Sequence, residues 1–316
     1  MELISVIVPC YNEQEVLPLF YPEIIRVSNL MKEKFGDIEF EFLFINDGSK
    51  DNTLNELRDL AKKDKRVRYI SFSRNFGKEA GMYAGLKESK GDYVVVMDAD
   101  LQHPPAFLPQ MFDFVKNQGY DCATTRRVSR KGESKIRSWF ARRFYSIINK
   151  ISQTEIVDGA QDFRFMNRKM VDSILQMSEY NRFSKGIFSW VGYKTKYIEY
   201  ENVERAAGTT AWSFWKLFLY SIEGIVAFST APLSIPVVLG LFESFVGLVL
   251  LIVGIVRTCM MTASQAAWVL AGLISGFTGL TTICIGVLGV YMSKIYMEVK
   301  HRPIYLVSET EQDIQK

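Results

Sequence analysis

The sequence predicts an α/β protein in which a mostly parallel sheet, covered by helices, is followed by interfacial amphipathic helices and two transmembrane helices. Three observations support this prediction. Short apolar runs alternate with helix-like segments over about residues 1–125, a pattern typical of parallel sheets. Basic and aromatic residues are interleaved in residues 134–151 and 212–220. Two long apolar segments, residues 233–256 and 266–292, lie near the C-terminal end.

Strand and helix signals follow one another regularly in the first part of the chain. The expected strands are residues 5–8, 40–45, 67–72, 93–97 and 121–125. The expected helices are residues 13–35, 52–63, 78–89 and 105–117. Asp51 is the expected N-cap of the second helix, because a side-chain oxygen there can accept a hydrogen bond from the first turn. The first strand is not followed by Gly-x-Gly-x-x-Gly, which argues against a dinucleotide-binding dehydrogenase.

The composition excludes several classes of protein. The chain has 316 residues and a formal net charge of only +3, so no nucleic-acid partner is expected. Its four cysteines form no Cys-x-x-Cys pair, and it has two histidines, which argues against zinc and against a disulfide framework. The N-terminal segment has no basic stretch and no cleavage site, so we expect no cleaved signal peptide.

Each of the two apolar segments is long enough to cross the hydrocarbon core of a bilayer, which is about 30 Å thick. Residues 233–256 contain one charged residue, Glu243, and residues 266–292 contain none. The alternative is a pair of buried helices in a soluble core, although such helices rarely lack a polar face over this length. Glu243 is costly in lipid, and we expect it to face a helix, a neighbouring subunit or the interface.

The basic residues around these segments predict their orientation. The linker between them holds one basic residue, Arg257. The basic residues that follow them are Lys294, Lys300, His301 and Arg302. The positive-inside rule therefore places both termini in the cytoplasm, in a multi-pass protein of the cell (inner) membrane. We expect a cytoplasmic domain over residues 1–207, a juxtamembrane amphipathic helix over 208–230, and two spans with a cytoplasmic tail over 231–316.

The basic and aromatic residues of 134–151 predict a helix that lies in the interface of an anionic membrane. The alternative is a solvated basic face packed on the core. Residues 212–220 include Trp212, Trp215 and Tyr220, and these residue types favour the level of the lipid headgroups. The lipid bilayer is thus an expected partner of the chain.

Two carboxylates, Asp98 and Asp100, follow the strand predicted over residues 93–97. Residues two apart in an extended chain point to the same side, and open α/β sheets bind ligands at the carboxyl ends of their strands. Hard oxygen donors of this kind suit Mg²⁺ or Mn²⁺, which keep water and take phosphate oxygens as further ligands. The alternative is an acidic turn that binds nothing.

Polar clusters also follow the first and second strands. The first is residues 9–13, Pro-Cys-Tyr-Asn-Glu, and the second is residues 46–51, Asn-Asp-Gly-Ser-Lys-Asp. An aromatic ring, amides and a carboxylate at neighbouring strand ends could hold a base and a ribose, with a metal on the diphosphate at the third strand end. Each loop alone is also consistent with a polar turn or a helix cap.

These motifs together resemble those of the family 2 inverting glycosyltransferases, which have the GT-A fold, a Rossmann-like α/β fold. The matching segments are residues 5–9, 11–13, 47–51 and 98–100. Later segments resemble the polyprenyl-phosphate glycosyltransferases, which include dolichol-phosphate mannose synthase and the bacterial GtrB-type enzymes. Those segments are residues 73–80, 159–164 and 181–192, and the two C-terminal spans match the GtrB type. The resemblance covers nearly the whole chain.

The resemblance implies a membrane-bound enzyme that transfers one sugar from a nucleotide-sugar to polyprenyl (undecaprenyl) phosphate, with inversion and with Mg²⁺ or Mn²⁺. UDP-glucose or UDP-N-acetylglucosamine is the preferred donor, and GDP-mannose is the alternative. A homo-oligomer is also implied. Two other classes stay open: a processive polysaccharide synthase, although such chains usually have more spans, and a non-catalytic membrane scaffold.

Residue by residue, the resemblance implies the following roles in this sequence. The expected metal ligands are Asp98, Asp100 and Gln102, and the expected catalytic carboxylates are Asp100 and Asp162. The expected nucleotide-binding residues are Pro9, Tyr11, Asn12, Glu13, Asp47 and Asp98. The expected contacts with the acceptor phosphate are Arg127, Arg130 and Arg205. Whether Asp162 is a base or a positioning residue stays open, as does the alternative of a helix-capping aspartate.

The sequence departs from the family pattern at two positions. Ala211 follows Gly208-Thr209-Thr210 where relatives often carry lysine, so a phosphate contact is missing or is supplied elsewhere, for example by Lys216. Lys185 stands where relatives often have arginine, and it would bind as a point charge rather than as a fork.

Overall fold

The computed structural model describes residues 1–127, 157–200, 231–259 and 266–313, together with isolated positions between these ranges (143, 146, 148–150, 225, 226 and 229). The chain forms two compact units. The sheet unit comprises residues 1–224 and 303–316, and the helical unit comprises residues 225–302. The N-terminal part and the C-terminal end of the chain therefore belong to the same unit.

A single sheet organises the described part of the sheet unit. Its eight strands are β1 (Glu2–Cys10), β2 (Ile38–Asn46), β3 (Val67–Phe72), β4 (Tyr93–Val96), β5 (Cys122–Arg127), β6 (Ala160–Asn167), β7 (Thr195–Tyr200) and β8 (Val307–Thr310). They lie in the order β7-β5-β6-β4-β1-β2-β3-β8. The pairs β4/β1, β1/β2, β2/β3 and β5/β7 are parallel, whereas β6 and β8 run antiparallel to their neighbours. The predicted, mostly parallel α/β sheet is thus confirmed.

Helices connect the parallel strands and cover the sheet. In the sheet unit they are α1 (Leu17–Phe35), α2 (Thr53–Lys63), α3 (Lys78–Glu88), α4 (Leu108–Lys116), α5 (Arg168–Gln176) and α6 (Ser184–Trp190). The helical unit contains α7 (Ala231–Cys259) and α8 (Ala266–Val299). The N-cap position of α2 is Asn52, one residue after the predicted Asp51, and the Asn52 side chain makes no capping hydrogen bond. The Asp51 carboxylate makes the predicted contact with the first turn, because it accepts a hydrogen bond from the backbone of Thr53, the first residue of α2, at 3.1 Å.

The core lies between the central strands and the helices. The central parts of β1 and β2 are apolar, because both faces of a central parallel strand are covered; Val6, Phe42 and Phe44 are fully buried. Helix α1 packs one face on the sheet, since its apolar residues recur three or four positions apart. The buried apolar residues of that face are Leu17, Phe20, Ile24, Val27 and Met31.

The C-terminal tail returns to the sheet as β8, which the sequence did not predict. Strand β8 pairs antiparallel with β3, with Ile70 opposite Thr310. The Glu309 carboxylate holds this edge, because it accepts hydrogen bonds from Arg58 at 2.5 Å and from the Tyr69 hydroxyl at 2.5 Å. An edge strand of 4 residues in a polar tail leaves little signal in a sequence, since it needs no long apolar run.

Helices α7 and α8 each contain a stretch that is long and apolar enough to cross a membrane. These stretches are Pro232–Leu250 and Gly276–Val299, and 0% and 6% of them is buried. A core helix of a soluble protein would be mostly buried, so this exposure argues against the alternative of two core helices. Within the described residues, one carboxylate oxygen of Glu243 is buried and has no hydrogen-bond partner. An unsatisfied oxygen of this kind is unfavourable in free energy, as expected for a carboxylate in an apolar segment.

Candidate active site

The polar clusters after β1 and β2 are bound to each other by hydrogen bonds. The Asn12 backbone donates to Ser49 Oγ at 2.9 Å, and the Asn12 side-chain oxygen accepts from the Lys50 backbone at 2.8 Å. The Glu13 backbone donates to Thr53 Oγ1 at 2.8 Å. Because β1 and β2 are parallel neighbours, their carboxyl ends meet at one edge of the sheet. The hydrogen bonds join the two loops into one surface.

Residues predicted to contact a nucleotide are open at this surface. Tyr11 is 42% exposed, so its ring can stack on a planar ligand. Asn12 has a φ of +57°, a left-handed conformation that is uncommon for residues other than glycine and that clusters in functional loops. Pro9 is partly buried near the end of β1. These positions agree with a nucleotide pocket, and the individual contacts stay predictions.

Asp47 is buried, and its carboxylate binds the loop that leads into α3. It accepts hydrogen bonds from the backbone of Phe76 at 2.6 Å and of Gly77 at 2.9 Å. Burial raises the pKa of Asp47, and these two hydrogen bonds oppose that effect. Gly48 allows the two loops to approach: it has a φ of +63°, and a Cβ there would lie 2.4 Å from the Arg74 carbonyl carbon. Asp47 therefore fixes the start of α3, whatever it contributes to nucleotide binding.

The two carboxylates after β4 belong to a tight turn. Gln102 donates its backbone N–H to Asp100 Oδ1 at 3.1 Å, and Leu101 between them has a φ of +57°. Backbone strain of this kind clusters at functional sites. Burial lowers the pKa of His103, and the charges of Asp98 and Asp100 oppose that effect. The turn thus brings both carboxylates within electrostatic reach of one histidine.

Lys78, the first residue of α3, bridges this turn and β6. Its Nζ lies 2.8 Å from Asp98 Oδ1 and 2.6 Å from Asp162 Oδ2. The Lys78 side chain is 39% exposed, against 28% for Asp98 and 19% for Asp162, so the three charged groups are largely buried but still reach solvent. Burial acts to lower the pKa of Lys78, but the two carboxylates raise it well above its usual value. Lys78 is therefore a cation at neutral pH.

Asp162 lies on β6 (Ala160–Asn167), so the alternative of a helix-capping aspartate is wrong. Burial acts to raise the pKa of Asp162, but the positive charges of Lys78, Lys185 and Arg164 hold it below its usual range. Asp162 is therefore ionised at neutral pH. A carboxylate with so low a pKa is a weak base and is better suited to accepting a hydrogen bond that orients a hydroxyl.

Of the three arginines predicted to contact the acceptor phosphate, the structure describes Arg127. It ends β5 opposite Tyr200 of β7, and its backbone donates to Gly159 at 2.9 Å. The Tyr200 hydroxyl lies 2.8 Å from His103 Nδ1, which joins the end of β7 to the turn after β4.

The predictions that lie outside the described residues are Arg130, Arg205, Ala211, Lys216, the segment 212–220 and most of the segment 134–151. The described positions 143, 146 and 148–150 of that last segment are helical.

Sequence reasoning assigned no role to Lys78, Glu79, His103 or Tyr200. Glu79 accepts hydrogen bonds from the Ser184 backbone at 3.0 Å and from the Ser184 hydroxyl, which ties α3 to the start of α6. One sequence feature could have indicated a role for Lys78. A positive charge in the first turn of a helix is disfavoured by the helix dipole, so it needs negatively charged partners. No comparable sequence feature indicates a role for His103 or Tyr200, since their contact joins residues 97 positions apart.

The residues after β4 fit a divalent metal ion that is bound together with a diphosphate. Within the described part of the chain, no group of three or more His, Cys, Asp or Glu side chains could hold a metal. The predicted donor set stays Asp98, Asp100 and the Gln102 amide. It suits Mg²⁺ or Mn²⁺, which fill their other positions with water and phosphate oxygens. The ammonium of Lys78 bound at Asp98 shows that this position attracts a cation.

Known proteins resemble this chain over nearly its whole length. The family described as Glycosyl transferase family 2 matches residues 5–175. The Bacillus subtilis protein CsbB, named as a glycosyltransferase, is 40% identical over 97% of this chain and 92% of its own. The bactoprenol glucosyl transferase of Shigella phage SfV is 38% identical over 98% of this chain and 99% of its own. A crystal structure of glucosyl-3-phosphoglycerate synthase from Mycobacterium tuberculosis covers 71% of this chain and 76% of its own, at 19% identity and a TM-score of 0.47. Since the family match includes all three strand-end clusters, the chain belongs to glycosyl transferase family 2.

Proposed function

We propose that this glycosyltransferase moves one sugar from a nucleotide-sugar to polyprenyl phosphate, with inversion at the anomeric carbon. The observation that carries the proposal is the cluster of Asp98, Lys78 and Asp162, in which the turn after β4 meets β6. Full-length similarity to a bactoprenol glucosyl transferase supports a polyprenyl phosphate acceptor. Helices α7 and α8 support the same acceptor, because such a lipid must be taken from a membrane.

UDP-glucose is the proposed donor, ahead of UDP-N-acetylglucosamine and GDP-mannose. The support for glucose is the name of the phage relative. The joined loops after β1 and β2 would hold the nucleoside, with the exposed ring of Tyr11 beside the base. Asn12 and Glu13 lie on the same surface and would contact the ribose or the base.

The residues of the site match the needs of the reaction. Mg²⁺ or Mn²⁺ held by Asp98, Asp100 and Gln102 would neutralise charge on the leaving diphosphate. The acceptor is a phosphate monoester with a second pKa near 6, so it is largely ionised at neutral pH and attack needs no strong general base. Asp162 would therefore orient a sugar hydroxyl or the acceptor, and Arg127 would pair with the acceptor phosphate.

Helices α7 and α8 would form a hairpin across the membrane, with the sheet unit and both chain ends in the cytoplasm. The support is that the chain before α7 and after α8 belongs to the same unit, because β8 pairs with β3. Two crossings return the chain to the side from which it started. The basic residues Lys294, Lys300 and Arg302 favour the cytoplasm as that side. The homo-oligomer stays a prediction.

A panel of donors tests the proposed reaction. Purified full-length protein in detergent would be mixed with polyprenyl phosphate, Mg²⁺ or Mn²⁺, and radiolabelled UDP-glucose, UDP-N-acetylglucosamine or GDP-mannose. Extraction and chromatography should show one labelled lipid, most abundant with UDP-glucose and carrying one sugar. A ladder of products would indicate a processive synthase. If no donor in the panel gave a glycolipid, the proposal would fall.

Replacing one carboxylate tests the site. Asp100→Ala should abolish turnover, because a ligand next to the leaving diphosphate is lost, while the unfolding temperature stays close to that of the wild type. Asp59→Ala is the matched control, since Asp59 lies on α2 and its side chain is 63% exposed; this variant should keep full activity. Normal turnover by Asp100→Ala would exclude the metal role of this residue.

A further inference from the structure

Lys78 stands where a helix disfavours positive charge. It is the first residue of α3, and the positive end of the helix dipole lies at that position. The preceding residue, Gly77, has a φ of +95° and donates its backbone N–H to the buried carboxylate of Asp47 at 2.9 Å. The start of α3, and Lys78 with it, is thus held in place from the end of β2.

The two carboxylates that Lys78 contacts explain this placement. Asp98 follows β4, and Asp162 lies on the neighbouring antiparallel strand β6. Both carboxylates reach the same ammonium group, at 2.8 and 2.6 Å. Two negative charges brought this close together would repel each other without a cation between them.

The surroundings of the two carboxylates differ. Asp162 lies within reach of two further positive groups, Lys185 and Arg164. Asp98 lies in the turn that contains Asp100 and belongs to the expected donor set of a divalent ion. An ammonium and a divalent cation at the same carboxylate oxygens repel each other strongly. Asp98 therefore cannot keep its contact with Lys78 and bind a metal ion at full strength.

We propose that Lys78 is a positioning residue whose ammonium group occupies the cation position at Asp98 until the donor and its divalent ion bind. Lys78 then loses its contact with Asp98 and keeps only its contact with Asp162. The exchange makes and breaks ion pairs only, and Lys78 stays protonated throughout. Binding of the donor and its ion is thereby linked to the orientation of Asp162, because it leaves Lys78 in contact with Asp162 only. This inference rests on the proposed function, since it takes Asp98 as a ligand of the ion.

Binding of Mn²⁺ without turnover tests the exchange. Full-length protein in detergent would be titrated with Mn²⁺ and followed by electron paramagnetic resonance, with and without UDP. Lys78→Met removes the charge and keeps an unbranched side chain of similar length, and it should bind Mn²⁺ about tenfold more tightly than the wild type. Lys78→Arg keeps the competing charge and should stay close to the wild type. A merely structural lysine would not give tighter binding on removal.

The matched control is Lys87→Met, which removes the same charge from an exposed position in the last turn of the same helix. Its affinity for Mn²⁺ should not change. Circular dichroism would check the folding of each variant, and Lys78→Gln would replace Lys78→Met if the latter did not fold.

Two results would overturn the inference. Equal or weaker Mn²⁺ binding by Lys78→Met would show that Lys78 does not compete with the ion. Absence of Mn²⁺ binding by both the wild type and Lys78→Met, with UDP present, would show that Asp98 is not a ligand of the ion. Neither titration involves sugar transfer, so these results differ from a failure of the proposed function, which the donor panel measures.

Discussion

At the scale of single residues, the pKa values of two carboxylates near Lys78 are shifted in opposite directions. The pKa of Asp162 lies below its usual range because Lys78, Lys185 and Arg164 outweigh the effect of burial. The pKa of Glu79 is raised, because burial outweighs its hydrogen bonds to Ser184. Asp162 is thus a permanent anion beside the proposed donor site, whereas Glu79 serves to hold α6 against α3.

The low pKa of Asp162 predicts how its removal depends on pH. Asp162→Asn should lower turnover about 100-fold or more, and by the same factor from about pH 5.5 to pH 8.5. The pKa of Asp162 is depressed below its ordinary value, so its charge is complete at the lower end of this window and does not change as the pH rises. The activity of the wild type should instead rise with the second ionisation of the acceptor phosphate, near pH 6.

The measurement is a pair of pH–rate profiles. Asp172→Asn is the control, because the Asp172 side chain is 59% exposed on α5, and it should follow the wild-type profile. If the ratio of wild-type to Asp162→Asn activity fell towards one at acidic pH, Asp162 would titrate in this range and its assignment as a permanent anion would be wrong.

At the scale of elements, the loops of the site are held by close backbone contacts at glycines. Gly48, after β2, lies against the loop that precedes α3, and Gly159, before β6, lies against the end of β5. A Cβ at Gly159 would lie 2.5 Å from the Arg127 carbonyl oxygen, and the φ of Gly159 is +80°. Each glycine therefore serves both the conformation of a turn and the approach of two elements that carry site residues.

Comparison of two glycines separates these effects. Gly48 and Gly119 both have a positive φ, +63° and +70°, but a Cβ at Gly119 would meet nothing within 4 Å. Gly119→Ala should lower the free energy of unfolding by about 1 kcal/mol through backbone strain alone. Gly48→Ala should lower it by about 2–4 kcal/mol, because the loop before α3 must also move. Chemical denaturation followed by circular dichroism measures both, and equal losses would show that the loop contact does not matter.

At the scale of the whole molecule, strand β8 returns the end of the chain to the sheet. Arg58 and Tyr69 bind Glu309, and Arg68 forms an ion pair with Glu311 at 3.1 Å. The chain therefore leaves the sheet unit before α7 and re-enters it after α8. This connectivity is what the proposed hairpin requires, since a single crossing would separate β8 from β3.

The hairpin predicts where the chain ends lie in cells. Epitope tags at the N- and C-termini should both be protected from protease in intact spheroplasts and should be cleaved after permeabilisation. A tag inserted in residues 260–265, between the two apolar helices, should be accessible in intact spheroplasts. Accessibility of one terminal tag alone would show an odd number of crossings, and accessibility of both would reverse the proposed orientation.

Much of the fold and part of the site could be predicted from the sequence. Strands β1 to β5 were located within a few residues, because each is a short apolar run bounded by polar residues. The clusters after β1, β2 and β4 were found for the same reason, since each is contiguous in the chain. Strands β6 and β7 were not predicted, and neither was the antiparallel direction of β6, because strand pairing depends on which element lies beside a strand as well as on its composition.

The sequence by itself determined the α/β class, the polar clusters at the strand ends and the two apolar helices, because each depends on periodicity or on residues a few positions apart. Only the tertiary structure decided that Lys78 lies between Asp98 and Asp162, and that the C-terminal tail completes the sheet. Lys78 and Asp162 are 84 positions apart, and Arg58 and Glu309 are 251 apart. Such contacts depend on how whole elements pack, and the residue pattern of one element does not indicate which other element it will contact.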